Sequence, residues 1–202
     1  MSRTLRNALF ALAAAIVVLA AAGFSYVAIM RHLTQEAESR NVLAGIGGPF
    51  TLTDQTGHKV SSSAYRGKLM LITFGYTYCP DVCPTTLTTM TDALDDLGAQ
   101  ADEVQPIFVT IDPERDTAKV LADYMKNFYP GFVGLTGSPQ EITAVAKSYR
   151  VYYAKATPND ATDYLMDHSS LIYLTDRQGR TLTTMAHSTT PKQMAEKIRG
   201  YL

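Results

Sequence analysis

The only two cysteines of the chain, Cys79 and Cys83, lie four positions apart, where an apolar segment is followed by a predicted helix. This location favours reactive sulfur, because a helix N-terminus stabilises a thiolate and ligands of open α/β sheets gather where strands end. A disulfide staple across so short a ring would stabilise the fold by only ~2 kcal/mol. A redox dithiol is a second use, although its usual Cys-x-x-Cys spacing has one residue fewer. The third use is metal binding, since two thiolates at i and i+4 can converge on Cu(I) or Zn(II).

A metal ion at this pair needs further ligands, and the two candidate metals differ in how many. Structural zinc usually takes four Cys or His ligands, whereas two thiolates and one imidazole suffice for Cu(I). Among the four histidines, His32 follows an apolar segment, His58 lies in a predicted turn and His187 follows a predicted strand. His168 directly precedes another predicted strand, and in a thioredoxin-like sheet that junction faces the cysteine-bearing turn. His168 is therefore the candidate imidazole ligand.

Three segments of the chain resemble, in the same order, the signature segments of the Sco (SenC/PrrC) family. They are FGYTYCPDVCP at 74–84, TIDPERDT at 110–117 and YLMDHS at 164–169. Sco proteins are membrane-anchored copper metallochaperones that take part in cytochrome c oxidase assembly. The resemblance runs from about Gly48 to the C-terminus, and it implies a thioredoxin-like fold with extra elements.

The resemblance also implies a copper ion held by Cys79, Cys83 and His168, each at a ligand position of the family. The implied partner is the apo copper site of cytochrome c oxidase subunit II. The protein would serve this site by delivering copper, by reducing the subunit's cysteines, or by both. An upstream thiol reductant or copper donor must also act, because the dithiol would oxidise to a disulfide in an oxidising compartment.

Other functions need fewer of these residues. A thiol–disulfide reductase would need only Cys79 and Cys83, so replacing His168 should separate it from a copper carrier. A peroxiredoxin-like peroxidase is suggested by Thr77, two positions before Cys79, but a proline-rich lead-in is missing. A copper or redox sensor would use the same three residues as a carrier. We expect a carrier rather than an enzyme, with thiol–disulfide oxidoreductase activity as the alternative.

The segments that must position these residues alternate between strand and helix patterns. The predicted strands cover 50–53, the stretch around 59–60, 69–74, 104–111, 132–135, 171–174 and 182–185, and the predicted helices cover 83–97, 117–128, a segment from 138 and a segment from 190. This order predicts an α/β fold, a thioredoxin-like mixed sheet with helices on both faces and with helices 83–97 and 117–128 on opposite sides. In the loop before the second helix, we expect Asp112, Arg115 and Asp116 to fix the backbone, with Asp116 as the N-cap.

Composition excludes several classes of protein. The chain has 202 residues, of which 46% are hydrophobic and 18% charged, so it is neither disordered nor collagen-like. Its 18 basic and 19 acidic side chains leave a net charge of −1. Nucleic acid is therefore not an expected partner, because proteins that bind a duplex carry a basic excess.

An uncharged segment over residues 8–30 predicts an N-terminal transmembrane helix. Its 23 residues are long enough to cross a bilayer core of ~30 Å. A cleaved signal peptide is the alternative, but the apolar character continues well beyond the small residues that could be a cleavage site. We expect a short head over 1–7, the anchor over 8–30, a linker over 31–48 and a copper-binding domain over 49–202. The domain should lie on the extracytoplasmic side, in the periplasm if the source is bacterial.

Overall fold

The computed structural model of the chain describes residues 19–31, 45–156 and 164–202, together with Arg3, Asn7, Thr34 and Leu43. The chain divides into two units, Met1–Val42 and Leu43–Leu202. Residues 19–31 of the first unit are helical. Within the described residues, no helix is both long enough and apolar enough to cross a membrane. Much of the predicted anchor over 8–30 and of the predicted linker over 31–48 lies outside the described residues.

The second unit is built on a seven-stranded mixed sheet, as the sequence predicts. Its strands are β1 (Thr51–Asp54), β2 (Lys59–Ser61), β3 (Leu69–Gly75), β4 (Val104–Thr110), β5 (Val133–Thr136), β8 (Leu171–Thr175) and β9 (Thr181–Ala186). They lie in the order β2-β1-β5-β4-β3-β8-β9. The pairs β3/β4 and β4/β5 are parallel, and the other neighbours are antiparallel. All seven residues of β3 are buried, because both faces of this central strand are covered.

Four helices cover the sheet, and both faces are used. They are α1 (Val82–Leu97), α2 (Ala118–Met125), α3 (Pro139–Ser148) and α4 (Pro191–Arg199). Apolar side chains of α1, α2 and α4 share one core with Leu69 and Leu71 of β3, whereas those of α3 share the other core with Met70, Ile72 and Phe74. The predicted placement of the first two helices on opposite sides is therefore wrong. The crossovers β3-α1-β4 and β4-α2-β5 step in the same direction, and right-handed connections then put both helices on one face.

The N-caps of α2 and α3 test two predictions about helix ends. Ser138 and Glu141 form the predicted capping box of α3. The N-cap of α2 is Thr117, whose hydroxyl accepts a hydrogen bond from the Val120 N–H, so the prediction that Asp116 caps this helix is wrong. Leu121 and Met125 of this helix are buried, whereas Val120 is exposed.

A second, two-stranded sheet was not predicted from the sequence. Strands β6 (Tyr153–Lys155) and β7 (Met166–His168) pair antiparallel, with Tyr153 opposite His168. Each strand has only three residues, too few to show a hydrophobic periodicity. This small hairpin carries the candidate imidazole ligand, so its attachment to the main sheet determines the geometry of the site.

Candidate metal centre

The two cysteines lie between the end of β3 and the first turn of α1, as predicted. Cys83 is the second residue of α1 and is buried, whereas Cys79 lies in the preceding loop and is partly exposed. Both are free thiols, and the Cys83 N–H donates a hydrogen bond to the Cys79 sulfur at 3.4 Å. The helix N-terminus thus directs a backbone donor at the more accessible sulfur, which stabilises the thiolate form of that residue.

Gly75, the last residue of β3, makes room for the buried sulfur. A Cβ atom at this position would lie 2.7 Å from the Cys83 sulfur and 2.9 Å from the Phe108 ring. Both distances are shorter than van der Waals contact, and neither neighbour can move easily because each is packed in the core. The glycine is required here by the close approach of the thiol to the strand.

His168 is brought to the cysteine pair from the far part of the chain. It is the last residue of β7, and its Nε2 lies 3.6 Å from the Cys83 sulfur. The other ring nitrogen, Nδ1, lies 3.0 Å from the Ser169 carbonyl oxygen. A carbonyl can only accept a hydrogen bond, so Nδ1 carries a proton and Nε2 is the nitrogen that faces the sulfur. This is the orientation of a metal-ligating imidazole, whose second nitrogen usually donates to a fixed acceptor.

The thiols have strongly different acidities. Hydrogen bonds with the Cys83 and His168 side chains, together with backbone N–H donors, hold the pKa of Cys79 well below the usual range of a thiol. The hydrogen bond with Cys79, together with burial, raises the pKa of Cys83. The pair therefore holds one proton near neutral pH, with Cys79 as the thiolate and Cys83 as the thiol.

The space beside the buried sulfur is small. A cavity of about 10 Å³ lies between Cys83 and His168, and Thr73, Phe74, Val82, Thr86, Phe108 and Ser170 complete its walls. A volume of this order holds a single water molecule. It has no room for an organic substrate. In the described part of the chain, no group of three or more His, Cys, Asp or Glu side chains is already arranged to hold a metal ion.

A buried carboxylate fixes the loop that precedes Cys79. Asp116 accepts hydrogen bonds from the Thr77 N–H at 3.0 Å, the Thr77 hydroxyl at 2.5 Å and the Thr110 hydroxyl at 2.6 Å. Its side chain is fully buried, and burial raises the pKa of the carboxyl. The prediction that this residue fixes a loop is confirmed, although the loop it holds is the cysteine-bearing one.

A second aspartate holds the segment that leads into β7. The Tyr164 hydroxyl donates to Asp112 Oδ1 at 2.7 Å, and the Arg115 Nε donates to Asp112 Oδ2 at 2.5 Å. The Arg115 guanidinium also lies 3.7 Å from the centre of the Tyr164 ring, which is a cation–π contact. Asp112 and Arg115 thus fix the histidine side of the site, as a loop-fixing role predicts.

Two of the other histidines, His58 and His187, are exposed and lie outside the site. His58 is exposed in the β1–β2 turn, where its Nδ1 lies 2.8 Å from the Thr56 hydroxyl. His187 is exposed after β9. His32 lies outside the described residues. The tyrosines near the site differ in exposure: Tyr76 is buried, whereas Tyr78 and Tyr152 are exposed.

Comparison with known proteins identifies the family to which this fold and site belong. The family model described as SCO1/SenC matches residues 38–202. The chain belongs to the SCO1/SenC family. A relative from Rickettsia felis, the "SCO2-like protein", is 43% identical over 156 residues, which cover 77% of this chain and 76% of the relative. The resemblance inferred from the three sequence segments is thereby confirmed.

Solved structures of family members share the fold. Bradyrhizobium japonicum ScoI with copper bound is 48% identical, with a TM-score of 0.72 over 78% of this chain and 99% of ScoI. BsSco, described as "a member of the Sco family of cytochrome c oxidase assembly proteins" with a disulfide switch, is 28% identical, with a TM-score of 0.63 over 79% of this chain and 94% of BsSco. The seven-stranded sheet with helices on both faces is the thioredoxin-like Sco fold.

Proposed function

We propose that this protein binds one copper ion through Cys79, Cys83 and His168 and acts as a copper chaperone. Its client would be the binuclear copper site of cytochrome c oxidase subunit II. The observation that carries the proposal is the approach of His168 Nε2 to within 3.6 Å of the Cys83 sulfur. The copper bound to Bradyrhizobium ScoI and the oxidase-assembly role given for BsSco support the choice of metal and client.

The donor set suits a soft ion carried as cargo. Two thiolates and an imidazole match the ligand preference of Cu(I). Cys79 already carries a negative charge, so the ion displaces a proton from Cys83 as the second sulfur bond forms.

Release to an acceptor would begin at Cys79. This sulfur is partly exposed, whereas Cys83 is buried behind it. A thiolate of the acceptor can therefore add to the copper as the bond to Cys79 breaks, and the ion then passes on by successive ligand exchange. The exchange needs no change in oxidation state, and a proton returns to the Cys83 sulfur once the ion has left.

The proposal extends to the location of the protein. The uncharged segment over 8–30 would tether the copper-binding domain to a membrane, with the domain on the extracytoplasmic side. In that compartment the cysteine pair would oxidise unless an upstream thiol reductant kept it reduced, and a copper donor would load it. Protease protection of the N-terminal segment in membrane vesicles tests the tether.

Copper titration in competition with a chelator tests the binding proposal. The reduced protein should take up one Cu(I) tightly, and His168→Ala should bind it more weakly. His187→Ala is the matched control, because it removes an exposed imidazole outside the site and should bind as the wild type does. Tight, stoichiometric uptake by the disulfide form, or by Cys79→Ser, would overturn the proposal.

A second candidate function is a thiol–disulfide reductase that keeps the oxidase cysteines reduced. The lowered pKa and partial exposure of Cys79 favour it, because an accessible thiolate can attack a client disulfide and Cys83 can then release the client. This cycle does not need His168 as a ligand. Reduction of a model disulfide by His168→Ala at the wild-type rate, together with wild-type copper affinity in that variant, would favour the reductase over the carrier.

A further inference from the structure

The hairpin that carries His168 is held to the rest of the domain by side chains. Strands β6 and β7 form their own sheet and do not pair with the main one. An isolated pair of three-residue strands is at best marginally stable, so its position must be set by contacts with the body of the domain. The contacts at its two ends are Tyr153 with Thr143, Tyr164 with Asp112 and Lys155 with Glu114.

Tyr76 makes a different kind of contact, directly with the backbone of β7. Its hydroxyl accepts a hydrogen bond from the Met166 N–H at 3.2 Å, two residues before His168. Its ring meets the His168 ring edge-on, with centres 6.1 Å apart and an interplanar angle of 86°. The Tyr76 side chain is only 2% exposed, so water cannot replace the phenol as the acceptor for Met166.

The same residue is part of the cysteine-bearing loop. The Tyr76 carbonyl accepts a hydrogen bond from the Cys79 N–H at 3.3 Å. Burial raises the pKa of the Tyr76 phenol, and the two cysteine sulfurs raise it further. Tyr76 thus contacts the loop that carries Cys79 through its backbone and the strand that carries His168 through its side chain.

We propose that Tyr76 is a positioning residue that sets the approach of His168 to the cysteine pair. The proposal rests on the proposed copper function. Its basis is the pair of contacts that Tyr76 makes, one with each half of the site. Without the phenol, the Met166 N–H is left buried without an acceptor, and β7 shifts or opens to reach water. The imidazole then moves with the strand, away from the sulfur atoms.

The test is a double-mutant cycle on Cu(I) affinity in the reduced full chain. Tyr76→Phe keeps the ring and removes only the hydroxyl. It should weaken Cu(I) binding about fivefold, the change that corresponds to one hydrogen bond of ~1 kcal/mol. In a His168→Ala background the same substitution should change the affinity less than twofold, because the imidazole it positions is gone.

Tyr152→Phe is the matched control. It removes a hydroxyl at the residue just before β6, from a side chain that is exposed. Its Cu(I) affinity should stay within twofold of the wild type. The thermal unfolding midpoint of each variant is recorded alongside, because a general loss of stability would lower binding equally in both histidine backgrounds.

Each failure has a distinct signature. Wild-type affinity in Tyr76→Phe, or an equal loss with and without His168, would overturn the positioning role. Wild-type affinity in His168→Ala would instead overturn the proposed copper function. If Tyr76→Phe does not fold, amide hydrogen exchange of the wild type tests the contact instead. The Met166 N–H should be protected by its hydrogen bond to Tyr76, and exchange at the rate of an exposed amide would overturn the proposal.

Discussion

The site has a cysteine half, the loop and first helical turn that carry Cys79 and Cys83, and a histidine half, the β6–β7 hairpin that carries His168. The cysteine half is held more firmly than the histidine half. The cysteine half continues directly from β3, every residue of which is buried. Asp116 fixes the loop between β3 and Cys79 through three hydrogen bonds. The histidine half is a hairpin of two three-residue strands outside the main sheet. The fold therefore supplies one fixed pair of ligands and one ligand whose position depends on a few side-chain contacts.

This difference suits a protein that must both hold and release an ion. A fixed sulfur pair preserves affinity, whereas a ligand on a weakly attached element can adjust its position while an acceptor thiolate replaces Cys79. The electrostatics follow the same division. The Asp116 carboxylate is held by neutral hydroxyl and amide donors, whereas Asp112 on the histidine side is paired with the Arg115 guanidinium.

The largest predicted effect is a loss of stability when the cysteine half loses its buried carboxylate. Asp116→Ala removes the acceptor for three buried donors and should lower the free energy of unfolding by about 3 kcal/mol. Urea unfolding of the reduced protein measures it. Asp123→Ala is the control, since it breaks an exposed ion pair with Lys126 and should leave the free energy of unfolding nearly unchanged. Equal stability of the two variants would show that the cysteine loop does not depend on Asp116.

A methyl group at the end of β3 should have the next largest effect. Gly75→Ala places a Cβ within 2.7 Å of the Cys83 sulfur, and overpacking should cost about 2 kcal/mol of unfolding free energy. Gly134→Ala in β5 is the matched glycine, where the nearest atom would be Met125 Cγ at 3.0 Å on a flexible side chain. A smaller loss is expected there. If Gly75→Ala is as stable as the wild type, the sulfur has more freedom than the structure shows.

Weakening the attachment of the histidine half should change the hydrogen exchange of that half alone. Tyr164→Phe removes the hydroxyl that donates a hydrogen bond to Asp112. It should lower the free energy of unfolding by about 1 kcal/mol. Amide hydrogen exchange should accelerate in β6 and β7, while β3 and β4 exchange as in the wild type. Tyr152→Phe, which alters an exposed side chain, should leave both regions unchanged. Faster exchange throughout the main sheet would contradict the division into two halves.

The smallest expected effect is a change in the pKa of Cys79, in the cysteine half, when His168 is removed from the histidine half. Because its pKa is lowered, Cys79 stays a thiolate as the pH falls, and its alkylation by iodoacetamide should persist well below pH ~8, where an ordinary thiol becomes unreactive. His168→Ala should raise the midpoint of this pH profile, because the interaction with the His168 side chain helps to lower the pKa of Cys79. An unchanged midpoint would mean that the histidine does not contact the Cys79 thiolate.

Periodic and buried elements were the predictable part of the fold. The apolar run of β3 and the stripe of Leu87, Met90 and Leu94 on α1 are long enough to indicate their structure from sequence alone, and all of these residues are buried. Thr117 and Asp116 are adjacent residues of cap-forming type, so the sequence could not decide which one caps α2. The packing of Asp116 against Thr77 and Thr110 settles this through contacts that are distant along the chain.

The sequence predicted which residues form the candidate site, but not the contacts that hold them in place. The strand-to-helix position of Cys79 and Cys83 and the topological position of His168 indicated that they would meet. The β6–β7 hairpin was missed because three-residue strands show no pattern, and nothing in the sequence links Tyr76 to the Met166 backbone. The ligand role of the three residues remains a prediction.

X-ray absorption spectroscopy of the reduced protein loaded with one equivalent of Cu(I) tests the central claim most directly. The account predicts two sulfur neighbours and one nitrogen neighbour around the copper, with the nitrogen lost in His168→Ala and retained in His187→Ala. A first shell made of sulfur alone, identical in the wild type and in His168→Ala, would contradict the convergence of Cys79, Cys83 and His168 on one ion.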